Sequence, residues 1–290
     1  MTYESVARGR AEYPALLAEL HDPPARLYLR GGSVEILSRP AVAIVGARSC
    51  SRYGAQVAHD LARELAACGV VVVSGLARGI DGEAHRGALA VGGLTVAVLG
   101  CGIDRDYPRA HADLARRIAD SGVVVSEYPP GVEPAPWRFP ARNRIVAGLA
   151  RATVIVEARE RSGALITADF ALELGRDVFA VPGEITSGLS SGTNDLIRQG
   201  ATPLLAAGDV LEALGLEQAP PPAPPAGLSP EAAAVLAVLA DGAAALDELA
   251  RGTGLGSPEV AVALTELELA GLVSGGDGLY RVSRGRTLGA

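Results

Sequence analysis

From Ala41 to Gly75 the chain reads AVAIVGARSCSRYGAQVAHDLARELAACGVVVVSG. Two short runs, Val42–Val45 and Val70–Val73, are apolar at every position and bracket a helix-length stretch, Tyr53–Cys68. Strands without polar alternation need both faces covered, which a parallel sheet flanked by helices provides. The unit recurs downstream. Further apolar runs lie at Thr95–Leu99, Val123–Val125, Thr153–Val156 and Val178–Val181. Helical stretches fall at Gly82–Ala90, Pro108–Asp120, Ala141–Leu149 and Ala164–Leu174. The pattern predicts a doubly wound, mostly parallel α/β sheet over residues 41–215. Such sheets bind ligands beyond the carboxyl ends of their strands, so the turns after these runs are the place to seek function.

Outward from this core the chain changes character. Residues 1–40 are short and mixed, with a turn at Asp22-Pro23-Pro24, and are expected to form an N-terminal strap. Residues 216–227 hold the run QAPPPAPPA, a semi-rigid linker of polyproline character. Residues 228–290 offer three helical stretches, Ser229–Leu239, Ala245–Thr253 and Ser257–Ala270. A hairpin follows, from Leu272–Val273 to Leu279–Val282 across Gly275-Gly276-Asp277-Gly278. Three helices and a hairpin predict a small winged-helix domain.

Composition narrows the function classes. The chain has 290 residues, 49% apolar but only 4% aromatic, so its core is built from Val, Leu, Ile and Ala. Mean hydropathy is +0.25, yet no apolar run approaches the ~18 residues of a membrane span. The N-terminus lacks a signal-peptide pattern, so a cytoplasmic protein is expected. Cys50, Cys68 and Cys101 are too few and too scattered for a disulfide framework or a zinc ribbon. All 26 basic residues are Arg. Without Lys there is no Walker A loop and no lysine Schiff base. Any bound anion meets planar guanidinium groups instead.

The first turn, Gly46-Ala47-Arg48-Ser49-Cys50-Ser51-Arg52-Tyr53-Gly54, sits where a dinucleotide fingerprint would lie, but Arg48 replaces its second glycine. That blocks close approach of a pyrophosphate and leaves a helix start with an Arg beside it, a general phosphate site. Asp81, Glu83 and His85 follow the second strand; their two-residue spacing does not align metal ligands on one helix face, and capping explains the acids. No metal and no cofactor are expected. After the fourth strand, Trp137, Arg138, Phe139, Arg142, Asn143 and Arg144 mix aromatics with arginines in a proline-rich loop. This suits single-stranded nucleic acid, with rings for bases and guanidinium groups for phosphates. Packing of Trp137 and Phe139 on the sheet edge is an equal alternative. Arg161-Ser162-Gly163 and Ser190-Ser191-Gly192-Thr193-Asn194 are two further helix starts of anion-binding design.

Together, Tyr13-Pro14, Asp22-Pro23-Pro24, Val42–Arg48, Gly75–Asp81, Phe139–Arg144, Ser162–Thr167 and Val181-Pro182-Gly183 resemble the bacterial DNA-processing protein A family (DprA, also Smf). The resemblance spans roughly residues 12–215. It implies a Rossmann-like core that binds single-stranded DNA, forms homodimers, protects incoming DNA and loads RecA recombinase in natural transformation. It also implies no catalysis. The family's small-residue–Arg motif falls on Gly46, Ala47 and Arg48. Its basic residue before the Ser-Gly helix falls on Arg161, where many relatives carry Lys, and its Pro-x-Arg-Asn-Arg motif on Pro140 to Arg144. Some relatives carry a helical domain ahead of the core, and this chain begins too close to Tyr13-Pro14 to hold one.

The rival reading is an enzyme, a lysine-decarboxylase-like phosphoribohydrolase that cleaves nucleoside monophosphates on the same sheet type. Those enzymes resemble one another in a Pro-Gly-Gly-x-Gly-Thr-x-x-Glu loop, and here Pro182-Gly183-Glu184 stops after one glycine. A transcription regulator acting through the winged helix is disfavoured by charge, since residues 228–290 hold eight acidic groups and four arginines, a net of −4. The third helix carries Glu259, Glu266 and Glu268 and no Arg, so it would meet a duplex with like charge. Arg281, Arg284 and Arg286 are the basic cluster of that domain. The stripe Val260, Leu264, Leu267 is either helix core or a protein-docking face.

Overall fold

A computed structural model describes residues 3–216, 228–239, 242–276 and 278–282. Among these residues, nine strands form one sheet in the order β1-β2-β6-β5-β4-β3-β7-β8-β9. The strands are β1 (Glu4–Ala7), β2 (Arg26–Gly31), β3 (Ala41–Val45), β4 (Val71–Ser74), β5 (Thr95–Leu99), β6 (Val123–Ser126), β7 (Ala152–Ile155), β8 (Asp177–Ala180) and β9 (Thr202–Pro203). From β6 across to β9 all neighbours are parallel. The chain winds from β3 through β4 and β5 to β6, then returns to β7 on the other side of β3 and continues outward to β9. The direction therefore reverses between β3 and β7, the crevice where such sheets hold ligands.

Residues 4–31, expected as a strap, extend the sheet itself. β2 pairs antiparallel with β6, Tyr28 facing Ser126 and Gly31 facing Val123, and β1 pairs with β2. Leu27 and Leu29 are buried while their neighbours are not, the alternation of a strand covered on one face.

Eight helices of this unit cover the sheet: α1 (Ala15–Ala18), α2 (Arg52–Ala67), α3 (Ile80–Ala90), α4 (Ala112–Ser121), α5 (Arg138–Gly148), α6 (Gly163–Glu173), α7 (Ser191–Arg198) and α8 (Ala207–Ala213). Alternate residues of β3 split between two cores. Ala41, Ala43 and Val45 face α1, α5, α6 and α7, whereas Val42 and Ile44 face α2, α3 and α8. α4 packs on Ala97, Leu99 and Val124. No described helix is long and apolar enough to cross a membrane. The helix α2 meets α3 at Gly87, where any Cβ would run into the His59 carbonyl.

The chain divides into two compact units, residues 1–219 and 220–290. The second holds α9 (Pro230–Leu239), α10 (Leu246–Thr253) and α11 (Ser257–Leu269), with a three-stranded sheet of β10 (Ala244–Ala245), β11 (Val273–Gly276) and β12 (Leu279–Val282). Val260, Leu264 and Leu267 are buried with Val235, Leu239 and Leu249. That stripe is the core of the domain and not a docking face. The outer face of α11 carries Val262, Leu269, Glu259 and Glu268. Arg281 lies on β12, while Arg284, Arg286, Asp277 and the proline run 218–226 lie outside the described residues.

His85 shows how tightly α3 seats on the sheet. Its Nδ1 lies 2.7 Å from Thr95 Oγ1, which itself donates to the Val72 carbonyl at 2.7 Å. The hydroxyl proton is thus committed, so Nδ1–H must donate, leaving Nε2 unprotonated and without a partner. Burial, aided by His111 and Arg142, lowers the His85 pKa to about 3. Glu83 pairs with Arg86, and no group of three metal-binding side chains occurs among the described residues.

His85 is neutral when folded and titrates near 6.5 when unfolded, so it favours folding above pH 6.5 and progressively less as pH falls toward 3. Between pH 7 and pH 5 it should remove about 2 kcal/mol of stability. Urea denaturation of wild type and His85→Gln at both pH values checks this. The variant should be less stable at pH 7 and lose about 2 kcal/mol less on acidification. Asp81, raised by burial and acting in the opposite sense, is common to both proteins.

Candidate functional site

The crevice is floored by a buried arginine. Arg142, on α5, is 4% exposed, and its Nη1 donates to the Gly75 carbonyl at 2.5 Å and to the Val98 carbonyl. It thereby joins the turn after β4 to β5. Gly75 lacks a side chain where the guanidinium lies. The next residue, Leu76, has φ of 59°, a left-handed conformation uncommon for a side-chain-bearing residue. Asp81 is buried nearby, accepts from the Ala77 amide at 3.3 Å, and lines the cleft with Arg142. Burial raises the Asp81 pKa, opposed by Arg142, and burial lowers that of Arg142, opposed by Asp81. Arg142 Nε is buried without a hydrogen-bond partner.

The neighbouring motif residues are engaged inside the protein. Arg144, expected to offer its charge to an anion, forms a bidentate pair with Glu127 at 2.7 and 2.9 Å and donates through Nε to the Asp22 carbonyl at 3.0 Å. Burial works against its charge, yet the Glu127 bonds prevail and raise its pKa. It braces α5 against the end of β6 and the N-terminal segment. Asn143 donates to the Gly163 carbonyl at 2.9 Å and so ties the start of α6 to α5.

The three expected helix-start sites differ sharply. At α2, Glu157 Oε2 accepts from the Ser51 amide at 2.9 Å and Oε1 from the Ser51 hydroxyl at 2.5 Å. The Glu157 carboxylate fills the space a Gly54 side chain would need. A protein carboxylate thus stands where a dinucleotide phosphate would sit, which corrects the expectation of a phosphate site at this helix start. Gly46 and Ala47 sit close against neighbouring segments: a Cβ on Gly46 would meet Ile80 and the Glu157 carbonyl, the Ala47 amide donates to Glu157 O at 2.7 Å, and its carbonyl accepts from Ile80 at 3.2 Å. The α7 start is also closed, since the Gly192 amide donates to Ala158 O at 2.8 Å and Asn194 brackets both backbone groups of Gly183.

The α6 start remains open. Ser162 caps Ala164 at 3.3 Å, and Ser162, Gly163 and Ala164 line the cleft opposite Arg142. The cleft is about 200 Å³. Arg48 lines it too, and Arg161 immediately precedes Ser162; both are exposed and neither has an ion-pair partner among the described residues. A helix start and two guanidinium groups without ion pairs among the described residues thus lie near the carboxyl ends of the strands, features that favour an anion.

Aromatic rings border it. Phe139 is half-buried, lying against Gly100, with the Arg48 guanidinium 5.6 Å from its centroid and the Tyr107 ring stacked at 5.1 Å. Trp137 is 63% exposed, with Arg138 4.8 Å above it and 4.9 Å from the Tyr128 ring. Sequence reasoning passed over Glu157 and Tyr107. An acid at the end of an otherwise apolar strand, and a tyrosine in the turn beyond β5, were the available signals.

The DNA recombination-mediator protein A family model matches residues 4–215, and the DprA winged helix domain model matches residues 219–278. The chain is 48% identical over 203 residues to the DNA processing protein DprA of Streptococcus pneumoniae, covering 69% of this chain and 70% of that one. It is 41% identical over 278 residues to the Smf protein of Escherichia coli, covering 92% and 74% respectively. Among solved structures, DNA processing protein A of S. pneumoniae superposes with a TM-score of 0.70 at 44% identity over 75% of each chain. The Helicobacter pylori protein superposes with a TM-score of 0.67 at 32% identity, over 74% of this chain and 96% of that one. That structure concerns the H. pylori protein's single-stranded DNA binding mode.

An open α6 and a closed α2 have distinct signatures. Titration with inorganic phosphate should shift the amide NMR resonances of Gly163 and Ala164 while those of Ser51 and Gly54 stay in place. Shifts confined to Ser51 and Gly54 would show that Glu157 does not close α2.

Proposed function

The chain belongs to the DNA recombination-mediator protein A family, and from that membership we propose that it is a single-stranded DNA-binding protein without catalytic activity. The observation that carries the reading is the α6 start, open to a cleft lined by Arg48 and directly preceded in the chain by the exposed Arg161. Phosphates of a single strand lie across this edge. Arg48 and Arg161 take successive backbone charges, and the start of α6 at Gly163 receives one phosphate. Arg142, Asn143 and Arg144 hold the cleft in shape, with Arg142 adding positive charge from below. The H. pylori relative, described for its single-stranded DNA binding, supports the same ligand for this fold. The protein works as a cytoplasmic homodimer that protects incoming DNA and loads RecA recombinase onto it in natural transformation. The core unit carries the DNA site, and the winged-helix unit, acidic on α11, does not read duplex DNA.

Binding should follow phosphate count more than sequence. With about four phosphates neutralised per protomer, log K should fall against log salt with a slope of roughly −3. Arg48→Glu and Arg161→Glu should each weaken a gel-shifted single strand by about tenfold or more. Their melting temperatures should barely move, because neither exposed group holds an ion pair. Undiminished binding by the double variant would place the strand elsewhere. Release of free base from AMP would return the phosphoribohydrolase reading.

A further inference from the structure

Resting on the single-stranded DNA reading, we infer that Tyr107 is the base-stacking ring of this site. Phe139, the aromatic that lines the cleft, is half-buried and has neighbours on its ring. Gly100 lies beneath it, so close that a Cβ there would sit 2.9 Å from the ring. The Arg48 guanidinium stands 5.6 Å from its centroid, and Tyr107 is stacked on it at 5.1 Å with 26° between planes. Tyr107 is 43% exposed, so the stack presents Tyr107 outward. A base arriving from solvent meets this ring first and extends the stack by one layer, with no need to separate the pair.

The loop that carries Tyr107 is braced for this. Asp106, its chain neighbour, pairs with Arg30 on β2 at 2.8 Å. Asp104 accepts from the Gly131 amide at 2.9 Å, and Arg105 pairs with Glu133 at 2.8 Å, so two loops beyond β5 and β6 are tied together. A ring held in place before binding loses little freedom when a base stacks on it. Arg48 on one side and the exposed, unpaired Arg109 two residues along the chain provide cations for the adjoining phosphates. Trp137 is more exposed, but it carries the Arg138 guanidinium 4.8 Å away on its ring, whereas Tyr107 is stacked on Phe139, the ring that lines the cleft.

Fluorescence anisotropy with the full chain separates base from phosphate contributions. The probes are a labelled oligothymidylate and an abasic strand of equal length and charge. Wild type should bind the thymidylate about tenfold more tightly than the abasic strand, the usual scale for one stacked base. Tyr107→Leu keeps Phe139 covered by an apolar side chain yet removes the ring, and should bring thymidylate binding down to the abasic level. Its abasic affinity and salt slope should match wild type. Tyr107→Phe and Trp137→Ala should keep the tenfold preference. The inference is overturned if Tyr107→Leu retains the preference, if it weakens both strands equally, or if wild type binds the two strands alike. Wild type binding neither strand would instead overturn the single-stranded DNA reading on which it rests.

Discussion

A guanidinium removed from water must find acceptors for its donors or destabilise the fold that buries it. Arg142 meets that constraint in part: its Nη1 donates to the carbonyls of Gly75 and Val98, at the ends of neighbouring parallel strands, while Nε stays without a partner and Asp81 offsets the charge. The rest of the site follows from this attachment. Gly75 must lack a side chain, Leu76 must turn left-handed, and Asp81 must stay close enough to offset the buried charge. With α5 anchored in this way, Asn143 reaches the start of α6 and Arg144 reaches Glu127. One buried cation thus sets the position of three motif residues.

Helix starts in a doubly wound sheet attract anions whether or not a ligand is wanted there. This protein satisfies two of its candidates internally. Glu157 supplies a carboxylate to α2, and backbone carbonyls together with Asn194 close the approach to α7. The α6 start is left facing a cleft that the exposed Arg48 lines. The carboxylate of Glu157 thereby occupies the helix start that a compact dinucleotide phosphate would need. The aromatic rings are arranged by the same economy of surface: Phe139 supports, and Tyr107 is presented.

The winged-helix unit puts its apolar side chains to one use. Val260, Leu264 and Leu267 on α11 close on α9 and α10, so the face that a DNA reader would present is left with Glu259, Val262, Glu268 and Leu269. An acidic surface without Arg disfavours contact with phosphate.

The parallel sheet, its helices and the winged helix were legible in the chain because burial on both faces leaves no alternation in a strand, and a period of 3.6 marks each helix. The sheet edge at which ligands are expected was legible too, since the turns after the apolar runs mark it. The N-terminal strands were harder to see: β1 and β2 are short, mixed and dependent on β6 for their hydrogen bonds. What each arginine does could not be read from the chain. Arg48, Arg142, Arg144 and Arg161 are chemically alike, and spacing alone makes all four anion ligands. Tertiary structure separates them, because a charge is available only where no carboxylate or carbonyl from a distant segment has reached it. Glu127, Glu157 and Gly75 are such partners, far away in sequence and close in space, and their contacts decide which helix start and which cations remain open.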